Sequence, residues 1–131
     1  LDLSKNQIET INNKTFSNLF NTSVIDLSNN KIYEIEIDNR LNIWKLDLSK
    51  NRLKVLRDNS FRQLYKLTDL ILKENRIDFI ESHSFQDLIE LRKLYLESNY
   101  LQSFESILIK YPSKLVVLIL KDNYLEVITN K

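Results

Sequence analysis

The stretch Leu46–Leu56 reads LDLSKNRLKVL, and the rest of the chain is a set of variations on it. Its first six residues recur letter for letter at Leu1–Asn6, and looser copies occupy Ile25–Ile35, Leu70–Ile80, Leu94–Phe104 and Leu118–Ile128. The shared pattern is L-x-L-x-x-N-x-[LI]-x-x-[LIF]. Its asparagines, Asn6, Asn30, Asn51, Asn75, Asn99 and Asn123, follow one another at intervals of 24, 21, 24, 24 and 24 residues. Self-similarity at a period of this size marks a solenoid, whose units cannot bury their apolar faces alone and must stack.

Within each copy the L-x-L core alternates with period two, which is a strand signal and not a helical one. The leucines face inward and the residue between them faces the opposite side of the sheet. The asparagine then enters a buried turn, where each unpaired backbone group would cost about 1–3 kcal/mol. A carboxamide carries two donors and an acceptor, enough to satisfy several such groups, including those of the neighbouring coil. The six asparagines are therefore read as a structural ladder and not as ligands, because their position is periodic.

A second signature follows ten residues after the asparagine. Phe16-Ser-Asn-Leu19, Phe61-Arg-Gln-Leu64 and Phe85-Gln-Asp-Leu88 are F-x-x-L, which suits a short helical turn on the far side of each coil. In the fifth copy Ile109 stands in the Phe place and Pro112 in the Leu place, so that segment is expected to be less regular. The second copy is three residues shorter and lacks the Phe; Ile37, Leu41 and Ile43 must close its core, and a local kink in curvature is expected there.

These residues together resemble the extracellular leucine-rich repeats of the 24-residue "typical" kind, with Leu67, Leu70, Leu72, Asn75, Ile77, Ile80, Phe85 and Leu88 matching nearly throughout. The resemblance covers all 131 residues. It implies an α/β solenoid: a curved right-handed array with a concave parallel β-sheet and a convex side of loops and short helical turns. Similar repeats build Toll-like receptor ectodomains, Slit-like guidance proteins and chaoptin-like adhesion proteins, so it is far less specific to a function. Family members usually end in cysteine-rich caps, and this chain has no cysteine. Leu1, Leu3, Ile8 and Phe16 are thus expected to lie bare at one end, and Leu118, Leu120, Leu125 and Ile128 at the other. Residues 1–131 are read as one uncapped array of about six repeats, an internal piece of a longer protein.

Charge is balanced, 19 basic residues against 18 acidic, and on that ground no nucleic-acid partner is expected. The longest apolar run, Leu115–Leu120, is far short of the roughly 20 residues that cross a bilayer, so no membrane segment is expected within this chain.

The repeat pattern also assigns the concave face. Between the paired leucines stand Asp2, Asp26, Asp47, Ile71, Tyr95 and Ile119. Two positions earlier come Val24, Lys45, Asp69, Lys93 and Val117, and one further back Ser23, Trp44, Thr68, Arg92 and Val116. Directly after the asparagines come Gln7, Lys31, Arg52, Arg76, Tyr100 and Tyr124. The first half of the face is polar and mixed in charge, whereas the second half is apolar and aromatic. Contiguous apolar surface rimmed by charge is the usual mark of a protein interface, and Tyr, Trp and Arg are its common anchors. Trp44, Ile71, Lys93, Tyr95, Tyr100, Val117, Ile119 and Tyr124 are the candidate partner-binding residues. Isolated β-branched or aromatic residues also occur on strands for propensity alone; their clustering in adjacent columns favours the interface.

Asn13-Lys14-Thr15 and Asn21-Thr22-Ser23 are glycosylation sequons outside the ladder, so Asn13 and Asn21 are candidate glycan sites. Catalysis finds no foothold: the single histidine, His83, has no partner pattern for a triad or a metal, and the chain has no glycine for a phosphate loop. No catalytic residue, cofactor or metal is assigned. The expectation is an extracellular protein-recognition module of immune or developmental receptor type, binding a protein ligand or co-receptor. The alternatives are an adhesive protein that self-associates through its uncapped ends and an intracellular repeat scaffold.

Overall fold

The computed structural model describes residues 1–105, 108, 110 and 112–129. Its short strands, in chain order, are β1 (Thr10–Ile11), β2 (Val24–Asp26), β3 (Glu34–Ile35), β4 (Lys45–Asp47), β5 (Val55–Leu56), β6 (Asp69–Ile71), β7 (Phe79–Ile80), β8 (Lys93–Tyr95), β9 (Ser103–Glu105), β10 (Val117–Ile119) and β11 (Val127–Thr129). The L-x-L motif supplies every even-numbered strand. These five form one parallel sheet in the order β10-β8-β6-β4-β2, and Asp2 extends it by bridging to Asp26. The register is the repeat itself, with Ile25, Leu46, Leu70, Leu94 and Leu118 side by side. The concave parallel sheet expected from the motif is present.

The turn after each strand is the same in all six copies. The residue before each asparagine, Lys5, Asn29, Lys50, Glu74, Ser98 or Asp122, is left-handed, with φ between 54° and 57°. That conformation brings Cβ close to the following carbonyl and is costly for residues other than glycine, asparagine and aspartate, so Lys5, Lys50, Glu74 and Ser98 carry this strain. What holds the turn is the carboxamide. Asn51 Nδ2 donates to the carbonyls of Leu27 (3.0 Å) and Leu48 (3.1 Å), while its Oδ1 accepts the N–H of Ile32 (2.9 Å). Asn30, Asn75, Asn99 and Asn123 repeat the arrangement, each clasping the coil before it. Asn6, in the first coil described, donates to Leu3 and Ser4 and is exposed.

Inside, the leucine and isoleucine columns are stacked and buried, and Phe61 and Phe85 add parallel rings with centroids 6.2 Å apart. Ile37, Leu41 and Ile43 close the shorter second coil as expected, and all three are buried. Phe16 corrects the expectation of a bare first coil. It is only 2% exposed, because it reaches past Leu3 and Ile8 into the shared core under the turn closed by Leu19 N–H on its own carbonyl (3.1 Å). Leu3, Ile8, Leu118, Leu120 and Leu125 are half-buried against the same core and are likewise less bare than expected. Ile128, 71% exposed, is as bare as expected.

The convex side has the short turns that F-x-x-L implies. Leu88 N–H bonds to Phe85 and Leu91 N–H to Leu88, each three residues back. It also has strands that the motif reading left out. The odd-numbered strands pair in parallel as β1-β3, β5-β7 and β9-β11, matching Ile11 with Ile35, Leu56 with Ile80 and Phe104 with Ile128. They are the last apolar places of the L-x-L-x-x-N-x-[LI]-x-x-[LIF] pattern, fixed side by side by the same stacking. Where pairing lapses between β3 and β5, in the shortened coil, a cleft of about 240 Å³ opens, lined by Tyr33, Glu34, Ile35, Lys54, Val55, Arg57 and Ser60. Ile109, and with it the expected irregularity of its segment, lies outside the described residues.

Candidate functional site

The sheet sets side chains on its open face in columns about 4.8 Å apart, one residue per coil. Pairing of β6, β8 and β10 puts Ile71 beside Tyr95 and Tyr95 beside Ile119, with Asp69, Lys93 and Val117 in the next column. Seven of the candidate binding residues are brought together in this way or on the adjoining margin: Ile71, Lys93, Tyr95, Val117, Ile119 and, on the margin, Tyr100 and Tyr124. Ile71, Tyr95, Val117 and Ile119 are half-buried by their neighbours. Lys93 Nζ lies 3.7 Å from Asp69 Oδ2, an ion pair across adjacent strands.

The most protruding apolar groups stand at the margins. Tyr100 and Tyr124 occupy the margin just after the asparagine turn, with ring centroids 5.9 Å apart and planes tilted by 57°. Their N–H groups bond to Ile77 and Leu101 of the preceding coils, so the two rings are spaced by the stack itself. Trp44 and Val116 occupy the opposite margin, where the chain enters the strands, and are 46% and 79% exposed. The structure therefore does not bring Trp44 to the tyrosines. The Trp44 carbonyl instead accepts from the backbone of Thr68 and Asp69 and from Thr68 Oγ1.

The polar half of the same face has a local explanation. The carboxylates of Asp2, Asp26 and Asp47 accept the backbone N–H of Ser4, Ser28 and Ser49, each at 2.9 Å, bracing the strand-to-turn junction. The hydroxyl and backbone N–H of Ser4 hold the Asp2 carboxyl below its ordinary range. Where Ile71, Tyr95 and Ile119 replace aspartate, the junction lacks this brace and the face is free to be apolar.

Two features escaped sequence reasoning. The column after the asparagines runs Lys31, Arg52, Arg76 before the tyrosines, and none of the three is in an ion pair among the described residues. Its flanking lysines are neutralised instead: Lys50 pairs with Glu74 and Lys54 with Asp78. The basic file was visible as a column, but only the structure shows that its members lack partners. In addition, Glu97 Oε2 is a buried side-chain oxygen without a hydrogen-bond partner among the described residues.

His83 has a partner that its sequence neighbourhood did not show. Its Nδ1 is 3.4 Å from Asp58 Oδ2 of the preceding coil and 3.1 Å from Ser82 Oγ. Both contacts engage the same ring nitrogen, so Asp, His and Ser are not in the relay order of a hydrolase triad, which needs opposite nitrogens. No cluster of three or more metal-binding side chains occurs among the described residues. Asn13 and Asn21 are both exposed and away from the asparagine ladder. No helix among the described residues is long and apolar enough to cross a membrane.

A family model described as leucine rich repeat matches residues 42–101. Among solved structures, a chain of the TLR13–ssRNA13 complex superposes with a TM-score of 0.88 and 30% identity over 98% of this chain. A chain of the Drosophila Toll–Spatzle complex gives 0.77 and 26% over 90%. This chain spans only 19% and 18% of those two. A chain of the octameric complex of latrophilin 3, Unc5D and FLRT2 gives 0.69 and 21% over 98% of this chain and 48% of that one, a likeness of fold alone. No curated protein matches the chain in sequence.

Proposed function

The chain belongs to the leucine-rich-repeat family and resembles its Toll-like, extracellular members; on that premise we propose that it is a recognition segment of a receptor-type ectodomain, binding a protein ligand and catalysing nothing. The observation that carries this reading is the exposed Tyr100–Tyr124 pair beside the Ile71, Tyr95 and Ile119 column, held on a sheet that hydrogen bonds fix coil by coil. Rigid aromatic anchors beside a desolvated apolar strip are what a protein interface uses for affinity. The Toll chain, which is similar, was solved with the protein Spatzle, and this supports a protein ligand. Exposed Asn13 and Asn21 support an extracellular setting in which both carry glycans.

Balanced net charge is no ground for excluding nucleic acid, contrary to the sequence expectation. The similar TLR13 chain was solved with single-stranded RNA, and Lys31, Arg52 and Arg76 make a basic file whatever the net charge. Self-association is the second reading, supported by the exposed apolar side chains of Val116 and Tyr124. Light scattering across a concentration series separates it from ligand recognition, because only self-association raises the mass.

The test is a binding screen of the chain against secreted proteins, repeated with Tyr100→Ala/Tyr124→Ala and with Ile119→Asp. The proposal expects a partner whose affinity falls at least about tenfold in both variants while the thermal midpoint of the double tyrosine variant stays put. A partner bound equally well by both variants places recognition elsewhere and overturns the site.

A further inference from the structure

The margin after the asparagine turns changes character along its length, and this assigns the chemistry of the ligand. Resting on the protein-recognition reading above, we infer that the partner presents an extended segment with two unlike halves, an acidic half over Lys31, Arg52 and Arg76 and an apolar half over Tyr100 and Tyr124. The backbone N–H groups of all five residues bond to the preceding coil, those of Lys31, Arg52 and Arg76 to Ile8, Ile32 and Leu53. The five side chains are therefore in single file along the solenoid axis. Three unpaired cations one coil apart make a line of positive potential, and two of them are guanidinium forks suited to carboxylates. The line then stops. At Tyr100 and Tyr124 the file holds no cation, and the nearby Lys121 is engaged with Asp122 at 3.9 Å.

The end of the basic file before the rings decides between the two polyanionic chemistries that fit it. A single strand of nucleic acid binds where bases stack on aromatic rings while phosphates follow a continuous basic track. Here the track ends before the rings begin, and phosphates carried on to Tyr100 and Tyr124 would find no cation in the file. A polypeptide has no such constraint, because its charge can end where the file's does. The geometry thus points to a protein segment and also fixes its direction along the margin.

The experiment uses the 131-residue chain and four labelled probes in fluorescence anisotropy. They are an extended peptide with an Asp/Glu half and a Phe/Leu half, its Asn/Gln analogue, its Ser analogue in the apolar half, and an oligouridylate of about a dozen nucleotides. The expected result is that the two-faced peptide binds best, weakening about tenfold with either half replaced. Arg52→Glu/Arg76→Glu abolishes the advantage of the acidic half alone, and Tyr100→Ala/Tyr124→Ala that of the apolar half alone. Tighter binding of the oligouridylate overturns the inference in favour of nucleic acid. Indifference of every probe to the arginine variant overturns it outright. A partner from the secreted-protein screen that loses affinity on Ile119→Asp but not on Arg52→Glu/Arg76→Glu leaves the recognition reading intact and sinks only this one.

Discussion

Asn75 and Leu53 belong to successive coils, and the Asn75 side-chain oxygen accepts the Leu53 backbone N–H at 3.1 Å. The same carboxamide donates to Leu48, also in the previous coil, at 2.9 Å and to Leu72 in its own at 3.0 Å. One buried side chain therefore closes its own turn and ties it to the turn before.

Replacing Asn75 with alanine leaves the Leu53 N–H without its partner inside the core, while the Leu48 and Leu72 carbonyls each keep one donor, from Asn51 and Asn99. A loss of roughly 1–3 kcal/mol is expected, the cost of one unsatisfied buried N–H. Asn6→Ala is the control, since Asn6 is exposed and bonds only within its own coil. It should cost under about 1 kcal/mol. Urea denaturation of both variants checks the difference, and equal losses would refute the clasp.

Leu72 and Leu96 are fully buried in the same inward column. Truncating either to alanine should cost roughly 2–5 kcal/mol, the spread depending on how far the neighbouring coils close on the cavity. Tyr124→Ala, by contrast, should leave the denaturation midpoint within experimental scatter, because that ring is 64% exposed. The two classes of variant separate core from face in one experiment.

Ser98 sits at φ 57° with a Cβ that this conformation disfavours. Ser98→Gly relieves the clash and is expected to raise stability by up to about 1 kcal/mol, the gain reduced by the greater freedom of glycine in the unfolded chain. Ser98→Val puts a β-branched residue where φ is positive and should lower stability by roughly 1–2 kcal/mol. Thermal midpoints that move the other way would show that the turn is not under this strain.

The Asp2 carboxyl is held below its ordinary value of 3.8 by hydrogen bonds from the Ser4 hydroxyl and backbone. A carboxyl whose pKa is lower folded than unfolded stabilises the fold above its unfolded value, and loses that contribution as pH falls through the folded one. The brace on the first turn should thus persist at neutral pH and fade only below about 3.8. A titration of the Asp2 side-chain carbon by NMR should show a midpoint under that value, and Ser4→Ala should move it upward.

The period, the inward leucines and the asparagine ladder were all legible in the sequence, because identical packing problems recur and each coil solves them with the same letters. Phe16 was misjudged since a motif says which side chain points inward but not how far it reaches towards the next coil. The odd-numbered strands went unread because two-residue pairings such as Leu56 with Ile80 have no period long enough to see. Asp58 and His83 are 25 residues apart, and nothing local joins them until the coils stack. Strand pairing keeps the Asp26, Asp47, Ile71, Tyr95 and Ile119 column that the repeat implies, whereas its relief has no sequence signal: Ile71 and Tyr95 are half-buried among neighbours while Tyr100 and Tyr124 stand proud. Relief depends on the side chains to either side, which a single column does not contain.

The carboxamide clasp always reaches backward, from one coil to its predecessor. Any coil lifted out whole takes away one asparagine and one N–H that needed it, so the coils on either side meet with matching halves. Duplication or excision of complete units therefore leaves no unmet bond in the interior. The length of such an array is free to drift between generations while its cross-section stays the same.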